Sequence, residues 1–479
     1  MVAKCAEDLT VQPFIKRSII CHVSFFFKIL KRMSFNGRSG SSSQTVFIQD
    51  SINYTGNDDD CDDPSSNEKT KLLGDHSRGH SLLPMWKAAV NFICDVEGTG
   101  LLGLPYAVLN GGVTALAALV IVPVICCYTG SIMVQCLYEE SSSPNRPKAR
   151  LRTSIEELGE ACWPGVGRKV VLVLQNTELL MLSASYLVLC GSFLDYAFPA
   201  VPLTRVDWSC IGAAVLLPTV FIKSLSNVAW LSLIGIVSVL VPVGSVLWYG
   251  ISRSPGWQLR SIPLWTPEGI PVAFGIIIFS NAAHSILPRL EGDMANKGKF
   301  NAMLGISYIF ITALKLMFSL CGFLSFTIHT KDLVTNNLPV GVVYYVSCVF
   351  LGINVLASYP FPILIVVRSI EDVITPDSML GRLPKAWWFV CLRVSLLLVT
   401  LGVAVVIPHF ALMLAFVGSL TSATTCFVLP CLFHLKLKRS ELHFYHKILD
   451  CFIIAFGLAA AGFGVVFSGK ALVAVYKTK

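Results

Sequence analysis

Charge is what this chain has least of. Asp, Glu, Lys and Arg make up 14 % of its 479 residues, and hydrophobic residues 54 %, where a soluble domain carries about 25 % charged residues. So little charge excludes a soluble globular fold over most of the length. The scarcity is also uneven: charges crowd into the first eighty residues and into short islands between apolar runs. Many of those runs reach the roughly 20 residues that cross a hydrocarbon core about 30 Å thick. The chain reads as an all-α polytopic membrane protein.

Other absences narrow the function. The 16 cysteines include no C-x-x-C pair and lie mostly inside apolar runs (Cys126, Cys127, Cys190, Cys348, Cys426), so buried thiols are expected and neither a zinc site nor a disulfide framework. The net charge of +8 would suit nucleic acid, but the basic residues sit in short loops, which is the positive-inside pattern; no nucleic-acid partner is expected. Nor does any nucleophile, metal cluster or phosphate loop stand in a context that supports catalysis.

Residues 1–84 form a tail rich in Ser, Asp, Asn and Gly, with the acidic run Asp58, Asp59, Asp60, Cys61, Asp62, Asp63 and too little apolar surface to fold alone. It contains Glu68-Lys69-Thr70-Lys71-Leu72-Leu73, an acidic dileucine pattern that clathrin adaptors read, with Glu68, Leu72 and Leu73 as its sorting residues. Asn53-Tyr54-Thr55 is a glycosylation sequon, expected to stay unmodified on a cytosolic tail.

From Met85 onward the length rule predicts about eleven spans, near 85–109, 112–138, 169–198, 208–222, 228–251, 267–288, 302–328, 340–367, 386–407, 409–433 and 448–469. Loops after even-numbered spans hold Arg146, Lys148, Arg150, Arg152, Lys223, Arg289, Lys297, Lys299, Arg382, Lys385, Lys436, Lys438 and Arg439. That bias predicts a cytosolic N-terminus, and an odd span count then places the C-terminus on the far side.

Residues 95–105 read Asp-Val-Glu-Gly-Thr-Gly-Leu-Leu-Gly-Leu-Pro and contain a literal G-x-G-x-x-G. A dinucleotide cradle needs a strand before the glycines and a soluble helix after them. Here the glycines interrupt a run long enough to cross a bilayer. Gly98 and Gly100 each weaken a helix by about 1 kcal/mol relative to Ala, and Pro105 removes a backbone donor. The stretch therefore predicts a broken transmembrane helix, and a packing kink is the plainer alternative. Freed backbone groups survive at membrane depth only where they line a cavity.

A second interruption stands in the sixth span, where Phe279-Ser280-Asn281-Ala282-Ala283-His284-Ser285 is followed by Pro288. It lies five spans after the first. Paired breaks at corresponding positions point to an inverted-repeat transporter with its site between them. The expected organisation is a first repeat over 85–251, a second over 252–433, and an appended last helix with a short C-terminus over 434–479.

The residues also carry a resemblance. Gly103-Leu104-Pro105-Tyr106-Ala107 with Gly111-Gly112, Cys126-Cys127-Tyr128-Thr129-Gly130, Cys136-Leu137-Tyr138-Glu139-Glu140, Leu287-Pro288-Arg289-Leu290-Glu291-Gly292, Ser358-Tyr359-Pro360-Phe361-Pro362, Pro408-His409-Phe410-Ala411-Leu412, Gly418-Ser419-Leu420-Thr421 and Leu429-Pro430-Cys431-Leu432-Phe433-His434-Leu435 are similar to the vesicular inhibitory amino acid transporters. These belong to the amino acid/auxin permease family. The resemblance implies a LeuT-like 5+5 inverted repeat with broken helices one and six. It also implies proton-driven loading of GABA and glycine into synaptic vesicles from the cytosol. It implies no cofactor beyond the proton gradient, and chloride stays open as a further ion. One departure stands out: Cys94, Asp95 and Glu97 occupy positions where the family usually shows neutral residues, which puts GABA itself in doubt.

Gly98, Thr99 and Gly100 are the candidates for holding a substrate carboxylate through backbone N–H groups, with Ser280, Asn281 and His284 shaping the other wall. Helix–helix hydrogen bonding is the alternative role for Ser280 and Asn281. Glu178, Asp95 and Glu97 are ionisable groups at membrane depth, where such groups are costly and usually functional; they are the proton-coupling candidates, with Lys315 and His284 as partners. A structural ion pair between Glu178 and Lys315 is the rival reading, and Asp95 and Glu97 could instead lie solvated at a cavity rim. His409, after Pro408, is read as an interfacial or capping residue, with pH sensing as its alternative role. Tyr359-Pro360-Phe361-Pro362 predicts a hinge or cavity wall that breaks the eighth span. The leading function is secondary active transport of small neutral amino acids into vesicles in exchange for protons. A plasma-membrane or lysosomal symporter driven by protons or sodium, and a non-transporting amino acid sensor, are the alternatives.

Overall fold

The structure is a computed structural model that describes residues 82–139, 149–222, 225–264, 266–371 and 385–477. The sequon at Asn53 and the dileucine residues Glu68, Leu72 and Leu73 lie outside these residues.

Among the described residues, nine helices are long and apolar enough to cross a membrane. One of them, Thr99–Gln135, runs for 37 residues and is two spans joined at Gly112, where φ is +56°. Only glycine takes that conformation readily. It is also the only residue that fits, because a Cβ there would fall 1.9 Å from the Pro263 carbonyl oxygen. Arg205–Leu216 and the turn Leu217–Phe221 make a further, shorter span, started by a capping box in which Thr204 and Asp207 exchange hydrogen bonds. Counted this way the described residues hold eleven spans, against the about eleven expected from the length rule.

Two spans are interrupted at mid-length. The first runs as a helix over Met85–Val96, leaves helical geometry at Glu97 and Gly98, and resumes as the tight turn Thr99–Gly103 before the next helix. The sixth runs over Ile270–Ser280, opens at residues 281–283, and resumes through His284–Ile286 into Leu287–Asp293. The two breaks face each other, since a Cβ on Gly100 would touch the Phe279 ring and the Ser280 Cα, each at 3.4 Å.

The eighth span is interrupted far less than the expectation implied. It divides at Tyr359 into the helices Val342–Ser358 and Pro360–Glu371. Tyr359 nevertheless keeps helical angles (φ −57°, ψ −43°) and donates its N–H to Val355 at 3.0 Å, so the two run on with little change of course. The fixed φ of Pro360 and Pro362 suits a helix, and neighbouring helices supply packing where donors are missing. Tyr359 is a wall residue, fully buried, with its hydroxyl 2.8 Å from that of Thr400.

The tenth span lies at the centre of the bundle. It is 83 % buried, whereas the eleventh, Phe444–Ala474, is 22 % buried and lies at the periphery. Close approach to the sixth span needs glycine on both sides: a Cβ on Gly418 would fall 1.9 Å from the Gly275 carbonyl oxygen. Past that contact the tenth span widens into two π-helical turns, Gly418–Ser422 and Thr424–Val428.

Candidate functional site

Each broken span presents the carboxyl end of a half-helix inside the bundle, where the last carbonyls lack intrahelical partners and the helix dipole is negative. The protein treats these two ends differently. At the sixth-span break, Lys315 of the seventh span (Phe300–Phe326) is buried and its ammonium donates to the Ser280 carbonyl and, at 3.2 Å, to Asn281 Oδ1. Asn281 in turn donates to the Ile277 carbonyl at 2.8 Å. The break is closed by its own cation.

At the first-span break no cation caps the helix end, and two acids stand there instead. Glu97 is 7 % exposed, and neither of its carboxylate oxygens has a hydrogen-bond partner. It senses the charge of Lys315 across the gap but makes no ion pair with it within 4 Å. Asp95 is exposed, although it lies midway along the bundle, where its charge acts on Tyr186 of the third span and on Cys94. An exposed carboxylate at that depth marks open space beside the break. Gly98 agrees: a Cβ built on it meets nothing within 4 Å. Thr99 and Gly100 follow, both buried, and no side chain caps their turn among the described residues, so its first N–H groups lack the capping acceptor that a helix start usually has.

Glu178 sits on the third span, Gly167–Ala197. Its carboxylate accepts from Ser422 Oγ at 2.6 Å and from Thr425 Oγ1 at 3.3 Å, both on the π-helical part of the tenth span. The expected rival pairing with Lys315 is not what forms, because Lys315 is turned to the sixth-span break. Two hydroxyl dipoles stabilise a carboxylate less than a buried cation does, and among the described residues Glu178 is held without an ion pair. The π turns were not anticipated, although the run Gly418, Ser419, Leu420, Thr421, Ser422, Ala423, Thr424, Thr425 carries the signal: small residues and hydroxyls in place of apolar bulk. Such turns concentrate at functional sites.

His284 is buried and shares a hydrogen bond of 2.9 Å with Thr129 of the second span, leaving Nδ1 unpartnered. It neighbours Cys426, the residue after Thr425. His284 is therefore joined to the second and tenth spans, and the expected pairing with an acid of the first span is not formed. Ser280, buried, donates back to the Ile277 carbonyl at 2.9 Å and accepts from Asn281. It caps its own half-helix.

The ends of the bundle are latched by ion pairs. At the end carrying the basic loops, Glu291 just past the sixth-span break accepts from Tyr138 and lies 3.2 Å from Arg150 Nε. There Leu83 also pairs with the end of the same span, its N–H donating to Asp293 at 2.8 Å. At the opposite end Arg205 bonds Asp195 at 3.2 Å, Asp332 at 2.9 Å and His409 Nδ1 at 3.2 Å. His409 is the N-cap residue of the tenth span but makes no side-chain cap, so the capping role gives way to membership of this latch. Burial works against the charge of Asp332, but the His409 ring 3.6 Å away, the Arg205 guanidinium at 2.9 Å and the Leu333 N–H hold its carboxyl below the usual range. Among the described residues no group of three His, Cys, Asp or Glu side chains could hold a metal ion.

A profile for transmembrane amino acid transporter proteins matches residues 83–469. The chain belongs to that family. Among similar members, the vesicular inhibitory amino acid transporter of Macaca fascicularis is 34 % identical over 87 % of this chain and 81 % of its own. The vesicular GABA transporter of Caenorhabditis elegans is 31 % identical over 86 % of this chain and 84 % of its own. A solved structure, the inward-facing conformation of Mhp1, shares the fold at a TM-score of 0.50 and 12 % identity, covering 83 % of this chain and 92 % of that one. The architecture is the LeuT-like one, and as a member of the amino acid transporter family the chain is a multi-pass membrane transporter.

Proposed function

We propose that this protein is a secondary active transporter that carries small amino acids from the cytosol into acidic vesicles in exchange for luminal protons. The observation that carries the reading is the pair of facing breaks, one with uncapped N–H groups beside open space and the other closed by Lys315. The substrate carboxylate docks on the N–H groups at Thr99 and Gly100, beside Gly98, as half-helix amino ends do for anionic groups in this architecture. Ser280, Asn281 and His284 form the opposite wall. A neutral substrate of the GABA kind agrees with the names of the similar transporters, one for inhibitory amino acids and one for GABA.

Glu178 is the coupling residue in this reading, since protonation would release Ser422 and Thr425 and loosen the third span from the tenth. Residues 85–251 and 252–433 are the two repeats, one rocking against the other around the fixed site. Lysine and arginine in the loops favour a cytosolic N-terminus and a luminal C-terminus. Glu68, Leu72 and Leu73 are a sorting signal for a clathrin adaptor; replacing both leucines by alanine is expected to shift a tagged transporter from vesicles to the plasma membrane.

Uptake of radiolabelled GABA, glycine, alanine, proline and glutamate into proteoliposomes with an acid interior tests the reading. Uptake above the ungraded control, abolished by a proton uncoupler, is expected. Binding of amino acids with no uptake under any gradient would replace the transporter by a sensor.

A further inference from the structure

The two half-helix ends pose one electrostatic problem and show two solutions. Both place a negative dipole end inside the bundle, a position where basic residues are favourable and acidic ones unfavourable. Break six obeys this rule with Lys315. Break one violates it twice, with Asp95 in the last turn of Met85–Val96 and Glu97 as its C-cap. Glu97 is more than nine-tenths buried with both oxygens unpartnered, and an uncompensated buried carboxylate costs several-fold more than a paired one. Lys315 acts on it across the gap but forms no ion pair with it within 4 Å, being held on Ser280 and Asn281. The arrangement wants a second cation at break one, and nothing among the described residues supplies it.

We propose that the substrate supplies it: the transporter accepts cationic amino acids, with a second amino or guanidino group, alongside neutral ones. Asp95 and Glu97 are the specificity residues that admit them. The α-carboxylate rests on the N–H groups at Thr99 and Gly100, and the distal cation reaches back to the two carboxylates at the end of the preceding half-helix. With Asp95, Glu97 and Lys315 all charged, a neutral zwitterion leaves the gap with one net negative charge. A substrate of net charge +1 leaves it neutral, which a low-dielectric site favours. This inference rests on the transport reading and names a substrate class for the same site.

The test adds radiolabelled lysine, ornithine and arginine to the proteoliposome panel, with glycine as internal reference, for the wild type, Glu97→Gln and Asp95→Asn. Wild-type uptake of at least one cationic amino acid, with a cationic-to-glycine ratio ten-fold or more lower in Glu97→Gln, is expected; Asp95→Asn should lower it less. Using the ratio separates specificity from any loss of folded protein, which glycine binding to each variant measures independently. Glycine or GABA uptake without cationic uptake would overturn the inference and spare the transport reading. Neutral uptake that requires sodium, with cationic substrates refused, would show an inorganic ion to fill the break and would equally overturn it. No gradient-driven uptake of any amino acid would remove the transport reading itself.

Discussion

The first and sixth spans occupy equivalent places in the two repeats and break at the same depth, yet one break is electrostatically complete and the other is not. At residues 280–283 every strong group has a partner: the Ser280 carbonyl and Asn281 Oδ1 face Lys315, and the Asn281 amide faces Ile277. At residues 95–100 the carboxylate oxygens of Glu97 have none, and the first N–H groups of the turn have no capping side chain among the described residues. The difference teaches which half is scaffold and which is receptor. A break closed by the protein's own lysine can hold its shape through a transport cycle, and a break left open has its missing partners arrive with the cargo.

The largest effect should come from unmaking the complete break. Lys315→Met leaves the Ser280 carbonyl and Glu97 buried without their cation, a loss of about 3 kcal/mol or more. It is expected to abolish uptake and lower the melting temperature of the purified protein. Lys315→Arg, which keeps the charge, should recover part of both. Uptake in Lys315→Met near the wild-type level would mean that break six does not depend on its lysine.

Next in size is Glu178→Gln, which keeps the hydrogen bonds from Ser422 and Thr425 in shape but removes a titrating proton. Gradient-driven uptake should fall by about 100-fold, while substrate binding and exchange of labelled for unlabelled substrate persist. Equal loss of exchange and of driven uptake would move Glu178 from coupling to structure. A smaller effect is expected at the open break. Gly98→Val should fold, because φ −102° and ψ −161° suit any residue and no atom stands in the way. It should reduce uptake roughly ten-fold by filling the space beside the N–H groups. The matched control is Gly112→Ala, which collides with Pro263 and should lower yield and melting temperature before any effect on affinity can be read.

Much of this was legible in the chain, and the physical reason is the bilayer. Lipid forces each apolar run to be a helix, so the spans could be counted, and it makes any interruption at depth conspicuous, so Gly98, Gly100 and Asn281 pointed to the breaks. Pairings across the bundle could not be read. Nothing in the order of residues says that Lys315 turns toward Ser280 and not Glu178, or that Glu178 meets the tenth span, because both depend on how helices rotate about their axes. Tyr359 shows a partial failure: the prolines forecast a break by local rule, and the span departs from regular helix only at Tyr359, which keeps helical angles.

The smallest effect belongs to the latch at the far end, where the comparison can be sharpened by pH. A carboxyl whose folded value is depressed, as that of Asp332 is, adds stability that is fully present above its unfolded value of about 3.9 and is lost as pH falls through the folded one. Mildly acidic pH lies above that window, so the Asp332 carboxylate stays charged there. Asp332→Asn is therefore expected to lower the melting temperature by the same few degrees at pH 7.5 and pH 5.5, with the gap to wild type closing only below about pH 4. A gap that widens between pH 7.5 and 5.5 would instead show that a group other than Asp332 sets the pH response of this latch. The satisfied end of the molecule would then be the pH sensor, and the asymmetry between closed and open regions would no longer separate scaffold from receptor.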